Sequence, residues 1–481
     1  MGTLAINMKK FALIILFTLF TAPAWATTFF LAPASGGGND SNNGTSASTP
    51  WLSPNHPVNC GDVIIAAAGT YSASNFNIGN WGTVTCPAGN NVAWLKCATF
   101  DACKISASGT QGMKVTASFW GVQGWEATGS GSFAGCFVVR PSGSANIHHI
   151  IFANDIANGC IDGGFSAFNN GNASVDYIVY VGNIAYNAAQ ASDSCASGFN
   201  IYQPVKSDSV AGTHMYIAGN FAWKNLNPDP CAGTAPTDGE GFILDTFDGS
   251  QGGLPAPYDQ QAVVVNNISI GNGGRGILVL NNQSGSSHAH IFVNQNTSWG
   301  NNTDPNQNGG GSYGDIEISR ADDTTASLNI SEPTTATCCG GFALYAYMVN
   351  SGNGTDTATS NWGYSAAGNE GGSQSSSGFS YGTASFGTNP SFSNPTLPGA
   401  PSCGSATSVP NCMATVIANF TPTTTAAKAY GYQIPSTTQT SDPLFPQWLC
   451  NVNLPPSLVT MGCASSAASP APPTNINVTV Q

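Results

Sequence analysis

The chain has 481 residues, of which 7% are charged and 41% hydrophobic, against roughly 25% charged in a typical soluble domain. Disorder needs low hydrophobicity with high charge density, so this chain carries enough apolar surface for a large core. Fifty-seven glycines and 29 prolines interrupt it too often for long helices. A net charge of −13 with eleven scattered cations excludes the basic stripe that nucleic acid requires.

In chain order, the first element is an address. Lys9 and Lys10 precede an apolar run from Phe11 to Ala22, and Ala24-Trp25-Ala26 fits a small-residue cleavage site. Residues 1–26 are expected to be a signal peptide cut near Ala26, sending a soluble monomer to the periplasm or outside the cell. The run is shorter than the ~20 apolar residues a bilayer span needs, and no later segment reads as one. The rest of the chain holds nine cations against 24 acids. Its 14 cysteines are an even set in an oxidising compartment, where disulfides are the default. Cys403/Cys412 and Cys450/Cys463 suit local pairs, whereas the adjacent Cys338 and Cys339 would join different partners. No C-x-x-C occurs, so a zinc finger is not expected.

Residues 27–110 read as an N-terminal cap with the first coils, and a repeat organises residues 111–400. Short apolar strands ending in asparagine recur at Asn154, Asn183, Asn220, Asn267, Asn296 and Asn329. A second asparagine follows at Asn158, Asn187, Asn225, Asn272 and Asn301. Residues between the two alternate with period two, as strands do. Spacings from 29 to 47 residues mean coils with turn insertions of unequal length, a pattern that a solenoid of neighbour-paired coils accommodates. Asparagine tolerates the left-handed backbone of a sharp bend, and asparagines stacked ~4.8 Å apart bond amide to amide. The expected fold is all-β, a single-stranded right-handed parallel β-helix whose first six asparagines form one inward ladder.

A third strand enters behind glycine. Residues 197–202 line up with 240–245, 275–280 and 313–318, which stacks Gly198, Gly241, Gly276 and Gly314 and sets Glu240 beside Arg275. Trp223 and Trp299 fall at equivalent repeat positions and are assigned to the core. Residues 401–465, irregular and cysteine-bearing, read as a cap over the last coil, and 466–481 as a linker-like tail. Near the start, Gly36-Gly37-Gly38-Asn39-Asp40, Pro50-Trp51, Gly61-Asp62 and Gly69-Thr70-Tyr71 resemble the entry segment of secreted β-helix proteins in the pectate-lyase-like superfamily. With the asparagine coils, the resemblance covers about residues 29–370 and implies the architecture. One fold hosts many functions, so chemistry needs its own residues.

Five of the 24 acids, Asp238, Glu240, Asp245, Asp248 and Asp259, fall within 22 residues. Oxygen ligands around glycine turns suit Ca²⁺, which takes 6–8 oxygens. Asp238, Glu240, Asp245 and Asp248 are therefore the candidate metal ligands, a solvated acidic turn being the bland alternative. A net-negative protein repels a polyanion unless a local cationic or Ca²⁺-bridged site docks it, and Lys206, Lys224 and Arg275 flank this cluster. Eliminative cleavage of a uronate polysaccharide needs a base, a neutralised carboxylate and a proton donor for the leaving oxygen. Lys224 is the candidate base and Arg275 the carboxylate partner, with Asp245, Tyr202 and Tyr258 as substrate contacts over the third sheet. Gly239-Glu240-Gly241-Phe242-Ile243-Leu244-Asp245 is similar to the Gly-Asn-Gly-Phe-Lys-Leu-Gly-like strand of family nine pectate lyases. That resemblance implies calcium and a lysine base, and Ile243 stands at the lysine position. Hydrolysis by paired carboxylates ranks lower, with Asp245 and Asp248 as its candidates, because polygalacturonase signatures are missing. His214, ahead of a strand, reads as an edge residue. Two functions follow: a secreted lyase on an acidic polysaccharide, or a β-helix that binds glycans or surfaces without cleaving them, as an adhesin or structural module does.

Overall fold

The computed structural model describes residues 26–86, 91–130, 135–190, 195–228, 237–250, 258–282, 288–306, 313–334, 341–347, 356–369, 371–374, 385–433 and 444–452. The expected signal peptide as far as Trp25, the cysteines Cys338, Cys339 and Cys463, and the tail 466–481 lie outside the described residues.

Strands of successive coils pair in parallel in three long sheets. Sheet 1 runs from Thr28–Leu31 to Thr357–Thr359, sheet 2 from Gly69–Ser72 to Ser385–Phe386, and sheet 3 from Met113–Val115 to Gly371–Gln374. Each coil passes through sheet 1, turns a corner into sheet 2, turns again into sheet 3, and returns one level up. Every strand therefore pairs with the equivalent strand one coil away, which is the parallel β-helix read from the asparagine repeat. No helix among the described residues is long and apolar enough to cross a membrane.

Period-two alternation fills the interior. In sheet 3, Phe137, Phe165, Phe199 and Phe242 point inward and stack ring on ring at 4.7, 4.8 and 4.8 Å, with nearly parallel planes. Their spacing is the strand spacing itself, so offset aromatic stacking and the hydrogen-bond ladder reinforce one another. The glycine column before them is required by close approach. A Cβ on Gly198 would sit 2.8 Å from the carbonyl oxygen of Gly241, and one on Gly241 would sit 2.7 Å from that of Gly276. The pairing of Ile277 with Ile316 places Asp315, not Gly314, at the top of this column, a one-residue correction.

The corner between sheets 1 and 2 carries the asparagine ladder, with one correction at its base. Asn183, Asn220, Asn267, Asn296 and Asn329 join side chain to side chain and continue to Asn361. Below them the rung is Asp155, whose backbone N–H donates to Asn183 Oδ1 at 2.8 Å. Asn154 instead takes the left-handed corner position, φ +57°, and its Oδ1 accepts the N–H of Val409. The second corner holds a shorter ladder, Asn225, Asn272 and Asn301, ending on Asp315. Asn158 and Asn187 fall one or two residues short of it. Asn187 sits at the left-handed position that Lys224, Gly271 and Gly300 fill in later coils.

The described C-terminal residues run as a strap along the outer faces of sheets 1 and 2. The outer face of sheet 2 is apolar, with Phe221, Trp223, Ile268 and Ile270, and the segment carrying Phe392, Val409, Met413 and Phe420 covers it. Phe445, Trp448 and Leu449 likewise cover Tyr177, Val179, Tyr216 and Val263 on sheet 1. Trp223 is thus buried on an outer face under the strap, with its indole N–H donating to Gly399 O at 3.0 Å. Trp299 is partly buried there against Phe420. Disulfides join Cys60–Cys86, Cys97–Cys103, Cys136–Cys160 and the expected Cys403–Cys412. Cys450 is also disulfide-bonded.

Candidate functional site

The described strap packs on sheets 1 and 2, and the outer face of sheet 3 lies outside both contacts. Its central outward row is closed over: Asn200, Ile243, Leu278 and Glu317 are all nearly inaccessible. The row next to the return corner is open. Arg140, Phe168, Tyr202, Asp245 and Leu280 occupy equivalent positions in successive coils and are each partly exposed. The register pairs Val139 with Ala167, Ile201 with Leu244, and Tyr202 with Asp245 and then Leu280. Arg140 and Asp245 therefore stand three strand spacings apart, ~14 Å, with two aromatic rings between them. A cation, two aromatic rings and an acid thus stand in one file across successive coils.

Asp245 ends the strand Phe242–Asp245. Burial pushes its carboxyl up to about 7, with Asp238 and Asp248 adding to the rise, and its Oδ1 accepts the Thr246 hydroxyl at 2.7 Å. Tyr202, one coil below, has its phenol raised by burial and by the Asp245 charge. Asp238 is buried, its carboxyl pushed up to about 6 by desolvation. A carboxyl that titrates near neutrality is suited to proton transfer.

The other expected residues are placed differently. Glu240 and Arg275 do meet, as the sequence register implied, but in a buried network. Arg275 Nε donates to Glu317 Oε2 at 3.0 Å, its Nη1 to Glu240 Oε1 at 3.3 Å, and the guanidinium lies 4.1 Å from the centre of the Tyr313 ring. Arg275 is 5% exposed and Glu240 is fully buried, so the fork that would hold a substrate carboxylate is already engaged. Lys224 occupies its corner with φ +55°, and its ammonium lies over the Tyr186 ring, 6.0 Å from its centre. Tyr186 belongs to sheet 2, so Lys224 leans away from the face that carries Asp245. Tyr258 is buried and donates its hydroxyl to Asp176 Oδ1 at 2.7 Å, which leaves it no exposed ring for a sugar. Asp248 Oδ1 accepts the Ser250 N–H, and Asp259 pairs with Lys206 at 2.6 Å.

Among the described residues no three His, Cys, Asp or Glu side chains gather closely enough to hold a metal ion. Glu240 is tied to Arg275, and Asp245 feels the charges of Asp238 and Asp248.

His214 is not an edge residue. It is 1% exposed, its Nδ1 lies 3.0 Å from Asp176 Oδ1, and its ring stacks on Tyr177 at 3.7 Å. Burial pushes the Asp176 carboxyl up, and hydrogen bonds from His214, Ser207 and Tyr258 outweigh it, leaving it below the usual carboxylate range. Sequence reasoning also missed Arg140 and Phe168, although the signal is legible. Phe137-Val138-Val139-Arg140 and Phe165-Ser166-Ala167-Phe168 repeat the Phe-x-aliphatic-x pattern of 199–202 and 242–245.

No family model matches the chain, and no curated protein matches it in sequence. Among solved structures, pectate lyase Pel9A is similar over 76% of this chain and 82% of its own, at 17% identity and a TM-score of 0.43. The GH136 lacto-N-biosidase from Eubacterium ramulus is similar over 75% of this chain and 68% of its own, at 10% identity and a TM-score of 0.41. A rhamnogalacturonan lyase matches over 63% of this chain and 82% of its own, at 17% identity and a TM-score of 0.31. A likeness this loose carries no residue's role across.

Proposed function

We infer that the chain is carbohydrate-active and that its substrate is an acidic polysaccharide, cleaved by β-elimination along the open file of sheet 3. The observation that carries this reading is the in-register file Arg140, Phe168, Tyr202, Asp245, a cation and two rings leading to a carboxyl that titrates near 7. In this reading Asp245 takes the proton α to the uronate carboxylate, since a carboxylate of raised pKa is a stronger base than an ordinary one. Tyr202, whose phenol stays protonated, donates to the leaving oxygen. Arg140 holds the polyanion against a net-negative protein.

The test is incubation with polygalacturonate and with alginate, following both ultraviolet absorbance of unsaturated ends and release of reducing ends. Elimination raises both signals together. Reducing ends without absorbance would replace the lyase with a hydrolase using Asp245 and an adjacent carboxyl. Asp245→Asn should abolish turnover while binding persists. A second reading, binding without cleavage, is favoured by the engaged Arg275 and by Lys224 leaning onto sheet 2. It takes over if both polymers bind and neither signal appears.

A further inference from the structure

Three cations of this chain are paired with acids, and Lys96 and Lys224 lie over the Trp94 and Tyr186 rings. Lys104 bonds Asp101 and Glu126, Lys206 bonds Asp259, and Arg275 bonds Glu240 and Glu317. Among the described residues Lys114 and Arg140 have neither a carboxylate nor a ring for a partner. They lie on adjacent strands of sheet 3, Met113–Val115 and Phe137–Val139 with its next residue, and both point outward. Val138 stands opposite Lys114, so the two cations are diagonal neighbours, ~7–8 Å apart at this spacing. Among the described residues neither has a carboxylate at ion-pair distance, and burial first, then the Arg140 charge, hold the Lys114 ammonium below its usual value. Lys114 is only 8% exposed. Its charge is desolvated by the protein with no acid to offset the cost, which ordinarily drives a lysine to a partner.

Lys114 also lines a cavity of about 380 Å³, together with Asn77, Ile78, Gly109, Thr110 and Gln111. That is within the size range of small-ligand sites. Its wall is fixed, because Asn77 Nδ2 donates to Gln111 O at 3.1 Å. In the same outward row, Ser166 Oγ and Asn200 Oδ1 are buried without a hydrogen-bond partner. The row thus runs from an unpaired ammonium past two unsatisfied polar atoms to Ile243, beside the open row that ends at Asp245.

We propose that Lys114 and Arg140 form an anion subsite that holds the carboxylate of one uronate unit of the polysaccharide. Arg140 presents a planar fork that matches two carboxylate oxygens, and Lys114 adds a point charge from the cavity wall. The subsite deepens the function proposed above and rests on it. Arg140 lies ~14 Å and Lys114 ~19 Å from Asp245 along the stack, so the subsite positions the polymer and takes no part in proton transfer.

The experiment measures binding of polygalacturonate, its fully methyl-esterified form and dextran sulfate to the full chain, at two salt concentrations. Wild type is expected to bind polygalacturonate best, more weakly at high salt, and the ester poorly. Lys114→Met, which keeps the apolar stem, and Arg140→Gln should each weaken polygalacturonate binding by about tenfold and flatten its salt dependence. Lys428→Ala, an exposed lysine elsewhere, should change nothing, and unchanged thermal midpoints should show that the variants fold. If wild type binds and cleaves polygalacturonate while the double variant behaves identically, the subsite falls and the proposed function stands. If wild type binds none of the three polymers, both fall. Preference for dextran sulfate would overturn the carboxylate assignment in favour of a sulfate ester.

Discussion

Asn220 receives Asn183 twice: its Oδ1 accepts the backbone N–H of Asn183 at 2.8 Å and the side-chain Nδ2 at 3.0 Å. The same double bond recurs from Asn220 to Asn267, Asn267 to Asn296, Asn296 to Asn329 and Asn329 to Asn361. Each Nδ2 has a second proton, which goes back to a strand carbonyl, as from Asn220 to Tyr180 O at 2.9 Å. Every amide group is therefore fully satisfied in a site closed to water, and each rung depends on the next.

Removing one rung orphans its neighbour. Asn267→Ala deletes the oxygen that accepts both Asn220 donors, leaving a buried N–H pair unsatisfied at a cost of about 1–3 kcal/mol. Asn306→Ala, on an exposed turn, should cost far less. Urea denaturation of the two variants beside wild type checks this, and equal midpoints would mean the ladder contributes nothing special.

The ladder also shows where sequence reading works and where it slips. Asparagine at a corner is legible because few other side chains fit the bend and bond along the axis. At the lowest rung the chain reads Asn154-Asp155, and the left-handed φ belongs to Asn154 while the rung belongs to its neighbour. A pattern of asparagines selects the wrong one of the pair. In sheet 3 the glycine column was the anchor, but Cys136 stands where Gly164, Gly198 and Gly241 stand in later coils, so the coil bearing Arg140 escaped notice. The fate of Arg275 was beyond the sequence for another reason. Glu317 reaches it from the next coil through registers that only the folded stack defines.

Arg275 should therefore behave as a structural residue. Arg275→Met leaves Glu240 and Glu317 buried without their cation, and breaking such a network from one side costs about 3–5 kcal/mol. The expected outcome is a large loss of stability, with any loss of turnover tracking the unfolded fraction. A variant that keeps wild-type stability yet loses turnover would return Arg275 to the catalytic role.

Stability should fall as pH rises across neutrality. The folded chain holds the Asp245 carboxyl at about 7, Glu332 at about 7 and Asp315 at about 6, each raised by burial. The unfolded chain releases these protons near ordinary carboxylate values, so between about pH 4 and 7 the native state binds more protons. A raised acid is neutral and tolerated below that window, and its penalty builds through the window and is complete above it. Asp245→Asn removes its share of the slope, so the variant should gain stability over wild type between pH 5 and pH 8. Urea midpoints at the two pH values measure this. A wild-type midpoint that climbs over that interval would contradict the raised values.

The strap makes the final prediction, because it decides which face is left for a ligand. Trp223 is 1% exposed on the outer face of sheet 2, and its indole is fixed to the strap through Gly399 O. Trp223→Ala removes a fully buried ring, at a cost of about 3–5 kcal/mol in a well-packed site, and most of that loss falls on the strap-to-sheet contact. The three sheets retain their own ladders, so the coils should survive while the strap opens. Limited proteolysis is then expected to cut the variant within residues 391–433 faster than wild type, with sheet content by circular dichroism unchanged. Opening the strap exposes Phe221, Ile268 and Ile270 but leaves the Arg140-to-Asp245 file on sheet 3 untouched. Polysaccharide binding should accordingly persist in the folded variant. Loss of binding together with an intact β-sheet signal would place the ligand face under the strap, on sheet 2, and not along the file ending at Asp245.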